Sequence, residues 1–270
     1  MKFDPSRTNY DVDSIERSIV MDNEVGSLPL ETKQKLYDEA MEKLRNYPEL
    51  MKILDIRHLH SYSTKDVGMF ERIGILPSKL VISDDRIKDM CRLPFWYPSK
   101  NPDAKPGEMK FGPCPNLGKH SSCPGYSPTT KEVRAKLNES DIFVVLQTIY
   151  VEVVSAHAGY SGWRFRPLHR LEKEINSLLG EGAVTQRFGE GPCNACAQQC
   201  LGMGECRQPH LYTAALESQG VPVGQLTRDL AYFSGDKSWD IEFLKHFGMP
   251  NQTPKKWKHN VALSIKLPSV

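Results

Sequence analysis

Four of the chain's seven cysteines, Cys193, Cys196, Cys200 and Cys206, fall within fourteen residues. They are spaced C-x2-C-x3-C-x5-C in the stretch GPCNACAQQCLGMGECRQP. No other feature narrows so far what this chain can fold into. Gly191, Pro192, Gly202 and Gly204 sit among or beside the cysteines. Glycine tolerates the turns that let a backbone wrap a compact object and aim several side chains inward. The chain has 270 residues, a length at which folding buries roughly 70–75% of the unfolded surface. Disulfide staples are therefore not needed for stability. An odd number of cysteines, clustered, favours metal ligation in a reducing compartment. A scattered buried cysteine would suit Cys91 alone.

The bulk numbers exclude several classes of function. With 39% hydrophobic and 25% charged residues the chain reads as a soluble globular protein. A formal net charge of +2 implies no strong field for nucleic acid or anionic membrane. The start, MKFDPSRTNYDVDS, lacks an apolar leader. The longest apolar run, about Ile142 to Leu146, is far short of the roughly 20 residues of a spanning helix. The expected setting is cytoplasmic, without membrane or nucleic-acid partners.

Along the chain, residues 1–27 read as an irregular arm. A helix is expected from Leu30 to Asn46, with Ser27 as N-cap and Leu36, Ala40 and Leu44 on one buried stripe. Pro48 ends it, and a short helix follows over Glu49 to Leu54. KLVIS, Lys79 to Ser83, is a short strand candidate, and Arg86 to Cys91 one helical turn. Prolines crowd residues 92–128, which excludes a regular helix or central strand there. Beyond them the pattern predicts a helix at Lys131 to Leu137 and a strand at Asp141 to Val154. A glycine-bearing loop (155–165), an amphipathic helix (Pro167 to Leu179) and a strand (Ala183 to Phe188) lead into the cysteine loop. Helices are expected at His210 to Ser218, Gly224 to Phe233 and Trp239 to Phe247, then a closing strand at Asn260 to Lys266. The whole reads as α/β or α+β, a ferredoxin-like strand–helix–strand core carrying cysteine-rich metal-binding loops. Residues 1–90 form an N-terminal helical extension, and residues 91–270 the metal-binding domain.

Four thiolates this close in sequence hold either zinc or an iron–sulfur cluster. Structural zinc sites use two ligand pairs with a C-x2-C knuckle on each side of a longer arm. One knuckle and two closely following cysteines are nearer a stretched ferredoxin-type run, which favours a [4Fe–4S] cluster. Cys91, Cys114 and Cys123 form a second set. Three thiolates suffice for a second [4Fe–4S] cluster with one iron open to water, substrate or a ligand such as His120; a zinc Cys3His site is the alternative. Other candidates are weaker. His157 lies past the main strand, where it could be an acid or a ligand. His58 and His60 alternate as on one strand face. Arg164, Arg166 and Arg170 could bind an anionic substrate or an acidic redox partner. Lys255, Lys256 and Lys258 flank Trp257 as a small basic patch. Asp84-Asp85 reads as a turn. The nucleotide-binding and hydrolase motifs, G-x-G-x-x-G, P-loop, G-x-S-x-G and H-E-x-x-H, are missing.

From residue 110 onward the sequence resembles domain of unknown function 2284 (DUF2284), a family of predicted metal-binding, cysteine-rich proteins. The resemblance rests on CPNLGKHSSCPGYSP, the strand–helix–strand after it, GPCNACAQQC…GECRQP and the segment from Ala215 to Val223. It implies a metal or iron–sulfur centre more than any named reaction. The expected function is an iron–sulfur protein for electron transfer or low-potential redox chemistry. It would act as a small oxidoreductase, or with a redox partner protein or larger enzyme. The rivals are a non-redox iron–sulfur enzyme, using its three-cysteine cluster as Lewis acid or sulfur acceptor, and a zinc-stabilised interaction module.

Overall fold

The computed structural model describes residues 11–60, 70–93, 95–98, 109–113, 117–150, 161–191, 193, 206–239 and 257–269. The centre of the molecule is β4 (Ile142–Tyr150), the richest strand in β-branched and aromatic residues. Residues 142–148 are buried on both faces, so Ile142 to Leu146 read as a continuous apolar run and not as an alternation. Ile142, Val144 and Leu146 point into one core, and Phe143 and Val145 into the other. On one side β4 pairs antiparallel with β1 (Phe70–Pro77), on the other with β7 (Trp257–Ile265). β7 pairs antiparallel with β5 (Val184–Gly189), and β5 pairs parallel with the two-residue β6 (Ala214–Ala215). The order of this five-stranded mixed sheet is β1-β4-β7-β5-β6. A separate two-stranded ladder joins β2 (Phe95–Pro98) to β3 (Met109–Gly112).

Helices cover both faces. The chain in order gives α1 (Val12–Met21), α2 (Leu30–Arg45), α3 (Pro48–Ile53), α4 (Ile56–His60) and α5 (Asp85–Met90). It continues with α6 (Thr130–Glu139), α7 (Ser161–Leu179) and α8 (Val223–Ser234). Leu44, Leu50, Leu59, Leu168, Leu171 and Ile175 from α2, α3, α4 and α7 pack on one face. Val133, Leu137, Leu226 and Leu230 from α6 and α8, with Trp239, pack on the other. No described helix is long and apolar enough to cross a membrane.

One strand–helix–strand unit is present, β4–α7–β5. Its strands run parallel, because both are antiparallel to β7, which lies between them. β1, from the N-terminal part of the chain, supplies the far edge strand. At the opposite edge β6 reaches only Phe188 and Gly189, so the outer side of β5 has no strand partner over Val184–Arg187 among the described residues.

Several local expectations are corrected. Residues 12–21 are helical, capped by Asp11, whose carboxylate accepts from the Ser14 amide. Two adjacent apolar residues, Ile19 and Val20, bury that helix, a weaker stripe than a long periodic one. Pro29, not Ser27, is the N-cap of α2. Residues 79–83 make a 3-10 turn and an extended run outside the sheet, and the true strand is the preceding Phe70–Pro77. The α7 helix begins at Ser161 and carries Pro167 in its second turn, where proline has no N–H to give the Trp163 carbonyl. The expected helix at 210–218 is two 3-10 turns around β6.

Candidate metal centre

Cys123 and Cys193 are far apart in sequence, and the fold joins their neighbourhoods by a hydrogen bond. Residues 117–128 form a turn-rich loop after β3. Its backbone coils at Cys123, whose amide donates to the His120 carbonyl while its own carbonyl accepts from the Tyr126 and Ser127 amides. Cys123 is buried, as are Ser121, Ser122 and Ser127. Each of these serines ties the loop elsewhere. The Ser121 carbonyl accepts from the Tyr212 hydroxyl at 2.9 Å. The Ser122 Oγ accepts from the Cys193 amide at 2.9 Å. The Ser127 hydroxyl donates to the Ser218 carbonyl. The residue before Cys123 thus holds the first cysteine of the downstream run. Tyr212, six residues beyond Cys206, holds the residue before that.

A second set of bonds ties α5, which ends at Cys91, to the same loop. It caps the C-terminus of α5, half-buried. Lys88, one turn earlier, donates to the Pro128 carbonyl at 2.9 Å. Asp84 caps the start of α5 through the Arg86 amide, so the Asp84-Asp85 pair is a helix start and not a simple turn. The Asp84 amide donates to the Gly220 carbonyl, and the Ser83 hydroxyl to the Gln219 carbonyl. Gly220 has φ +81°, and a Cβ there would lie 2.7 Å from the Asp84 carbonyl oxygen. Only glycine fits this crossing. Gln219, fully buried, donates through Nε2 to the carbonyls of Arg187 and Ala214 and accepts from Gln186. Residues 216–220 therefore fasten α5, the Cys123 loop and the strand that runs into Cys193.

Cys91, Cys123, Cys193 and Cys206 are described, the first and last two half-buried. Cys114, Cys196, Cys200 and His157 lie outside the described residues, as do Lys255 and Lys256. Among the described residues, no three His, Cys, Asp or Glu side chains are grouped to hold a metal ion. His120 is half-buried in the Cys123 loop. Arg164 and Arg166 lie in the first two turns of α7, and Arg170 is exposed on the third. His58 and His60 are on helix α4, not on a strand, and His58 pairs with Glu174 of α7 at 2.7 Å. Lys258 and Trp257 begin β7. The donor chemistry suits a soft metal group: thiols carried on buried or half-buried backbone, in segments fixed by hydrogen bonds outside the thiols themselves.

Beside these segments is a cavity of about 250 Å³ at the open edge of β5. Pro128, Pro209 and Tyr212 line it from the cysteine segments, and Gln186, Arg187 and Glu172 from β5 and α7. Arg187 Nη1 donates to Glu172 Oε2 at 3.1 Å. Burial pushes the Glu172 carboxyl up, against the pull of Arg187. His169 Nε2 lies 3.5 Å from both Arg187 Nη1 and the Thr213 hydroxyl. Burial, and then Arg187 and His210, hold its pKa down to about 4, so the imidazole is neutral at pH 7. Sequence reading missed Ser122, Arg187, Tyr212 and Gln219, whose only signal was nearness to the cysteines, and Glu172, which gave none.

Residues 109–238 match the model of DUF2284, a predicted metal-binding protein family. The matched stretch holds every residue named around the cavity and six of the seven cysteines, leaving out Cys91 and the closing strand β7. Searches of curated proteins and of solved structures find no match.

Proposed function

With residues 109–238 carrying a predicted metal-binding family's pattern, we propose that the protein is an iron–sulfur protein of low-potential redox metabolism. Cys193, Cys196, Cys200 and Cys206 would hold one [4Fe–4S] cluster. Cys91, Cys114 and Cys123 would hold a second, with one iron lacking a thiolate. The observation that carries this reading is the bond from the Cys193 amide to Ser122, beside buried Cys123. It joins the neighbour of Cys123 to the first cysteine of the downstream run, a nearness that electron relay between two centres would use. Such clusters supply one-electron transfer at the point where these segments meet. The chain's own residues do the rest. Ser121, Ser122 and Ser127 fix the loop, burial of Cys123 lowers the local dielectric, and the 216–220 segment keeps the three regions in register. The protein would work as a small oxidoreductase or as electron donor to a larger enzyme.

The same contact favours a second reading, a single centre drawing thiolates from both segments. Metal and sulfide content of the full chain, purified without oxygen, separates the two. Two clusters give a brown protein with about eight irons and as many sulfides, one gives about four. Cys123→Ser should remove half the iron in the first case and all of it in the second. A colourless protein holding zinc and no sulfide would overturn the redox reading in favour of a zinc-stabilised module.

A further inference from the structure

The cavity at the edge of β5 is not needed to hold the cysteines, yet it presents charge that the fold leaves incompletely matched. The Arg187 side chain is 15% exposed and that of Glu172 22%. A guanidinium has five N–H donors. Among the described residues Arg187 uses only Nη1, on Glu172 and against His169, and its Nε and Nη2 meet no acceptor. The second carboxylate oxygen of Glu172 likewise meets no donor among them. A one-bond ion pair out of bulk water does not offset its own desolvation well. Such a pair is retained at a cost unless something else completes it. Both residues line the cavity, and the neutral His169 adds no charge. What remains is one guanidinium edge and one carboxylate oxygen, on the two partners of a 3.1 Å Nη1–Oε2 bond, in a space that holds a ligand of modest size.

We propose that this cavity binds a small zwitterion of the amino-acid class, its carboxylate on Arg187 and its ammonium on Glu172. The open Nε and Nη2 edge of a guanidinium matches a carboxylate with two parallel hydrogen bonds. The ammonium takes the unused oxygen of Glu172. The bound pair of charges leaves the cavity neutral, as the empty one is, so no net charge is buried. Gln186, Thr185 and Tyr212 line the walls and offer polar contacts to the remainder of the molecule. Pro128 and Tyr212 belong to the segments that bring Cys123 and Cys193 together, so the ligand would lie next to the proposed metal centre as substrate or effector.

The test is calorimetric titration of the full chain with small α-amino acids, each compared with the amine and the carboxylic acid that carry only one of its charges. The zwitterion should bind, and each single-charge analogue should bind at least about tenfold more weakly. Arg187→Lys keeps the charge but loses the fork, and should weaken binding by about tenfold or more. Glu172→Gln should do the same, with circular dichroism showing both variants folded. No heat with any amino acid at millimolar concentration overturns the proposal. So does a carboxylic acid that binds as tightly as its amino acid, or variants that keep wild-type affinity. The analogue series uses wild-type protein alone, so it decides even where a variant fails to fold. Iron and sulfide assays on the same preparation report on the metal reading independently of this binding.

Discussion

Two carboxylate–guanidinium pairs in the molecule show what a finished contact is and what an open one is. Glu16 of α1 is 5% exposed at its side chain and pairs with Arg228 of α8 at 3.0 Å. It also accepts from the Gly224 and Gln225 amides, which open α8. The N-cap of α8 is Pro222, which has no side chain able to accept, so a carboxylate from another helix does the capping. Arg228 in turn reaches Asp13 at 3.0 Å, and every group faces a partner. Glu172 and Arg187 make one bond, and a cavity takes the place of further partners. The first pair is a clasp that fastens α1 to the core. The second is shaped like a site.

That contrast can be broken by measurement. The largest effect belongs to Glu16→Ala, which takes one carboxylate from Arg228 and the acceptor from two helix amides. It should cost roughly 3–5 kcal/mol in urea unfolding. A loss under about 1 kcal/mol would remove the clasp from the account. Next comes Asp229, the neighbour of Arg228, whose carboxyl burial raises to about 6 despite Gln225, Lys33 and Arg228. Its folded pKa lies above the unfolded value of 3.8, so its favourable contribution is full below pH 3.8 and is lost as pH rises through 6. Asp229→Asn should therefore stabilise the protein at pH 7, by roughly 2 kcal/mol, and gain nothing below pH 4. Unfolding curves at the two pH values check the sign.

Ser122→Ala removes the acceptor for the Cys193 amide and should cost about 1 kcal/mol. An anaerobic chelator should also strip metal from this variant faster than from wild type, and equal rates would separate the contact from the centre. His169 gives a smaller and opposite pH effect. Its folded pKa of about 4 lies below the unfolded value of 6.5, so its contribution is complete above 6.5 and declines as pH falls toward 4. His169→Gln should flatten the stability profile between pH 6.5 and 4, by under about 1 kcal/mol given its partial exposure. The smallest change is expected from Glu172→Gln. Water can enter beside it, so its stability should stay within about 1 kcal/mol of wild type while ligand binding goes. A loss as large as that of Glu16→Ala would make the second pair a clasp as well.

Some of this was legible in the residues. The β-branched run at 142–150, the periodic leucines of α7 and the Thr129–Glu132 capping box before α6 each settle their own element by local physics. β1 escaped notice because its Gly74 breaks the strand pattern. Gly74 is there because Leu230 and Trp239 pack against the backbone, with a Cβ position only 2.5 Å from Leu230. The segment at 210–218 misled because alanine and leucine favour helix, while its burial against β5 imposes two short turns instead. His58 and His60 were two polar residues with no strand context, and a helix face serves the Glu174 pair better.

Taken alone, the sequence determined the chemistry available: soft donors in two runs, a mixed α/β scaffold and a segment matching a predicted metal-binding family. Residue type and spacing carry that information because ligand identity and helix or strand period are local properties. Only the tertiary structure decided that Cys193 bonds to Ser122, the neighbour of Cys123. It alone decided that Glu16 caps a helix more than two hundred residues away. It alone put the Arg187–Glu172 pair at the edge of a cavity. Those facts depend on which strand lies beside which, and no local property records that order.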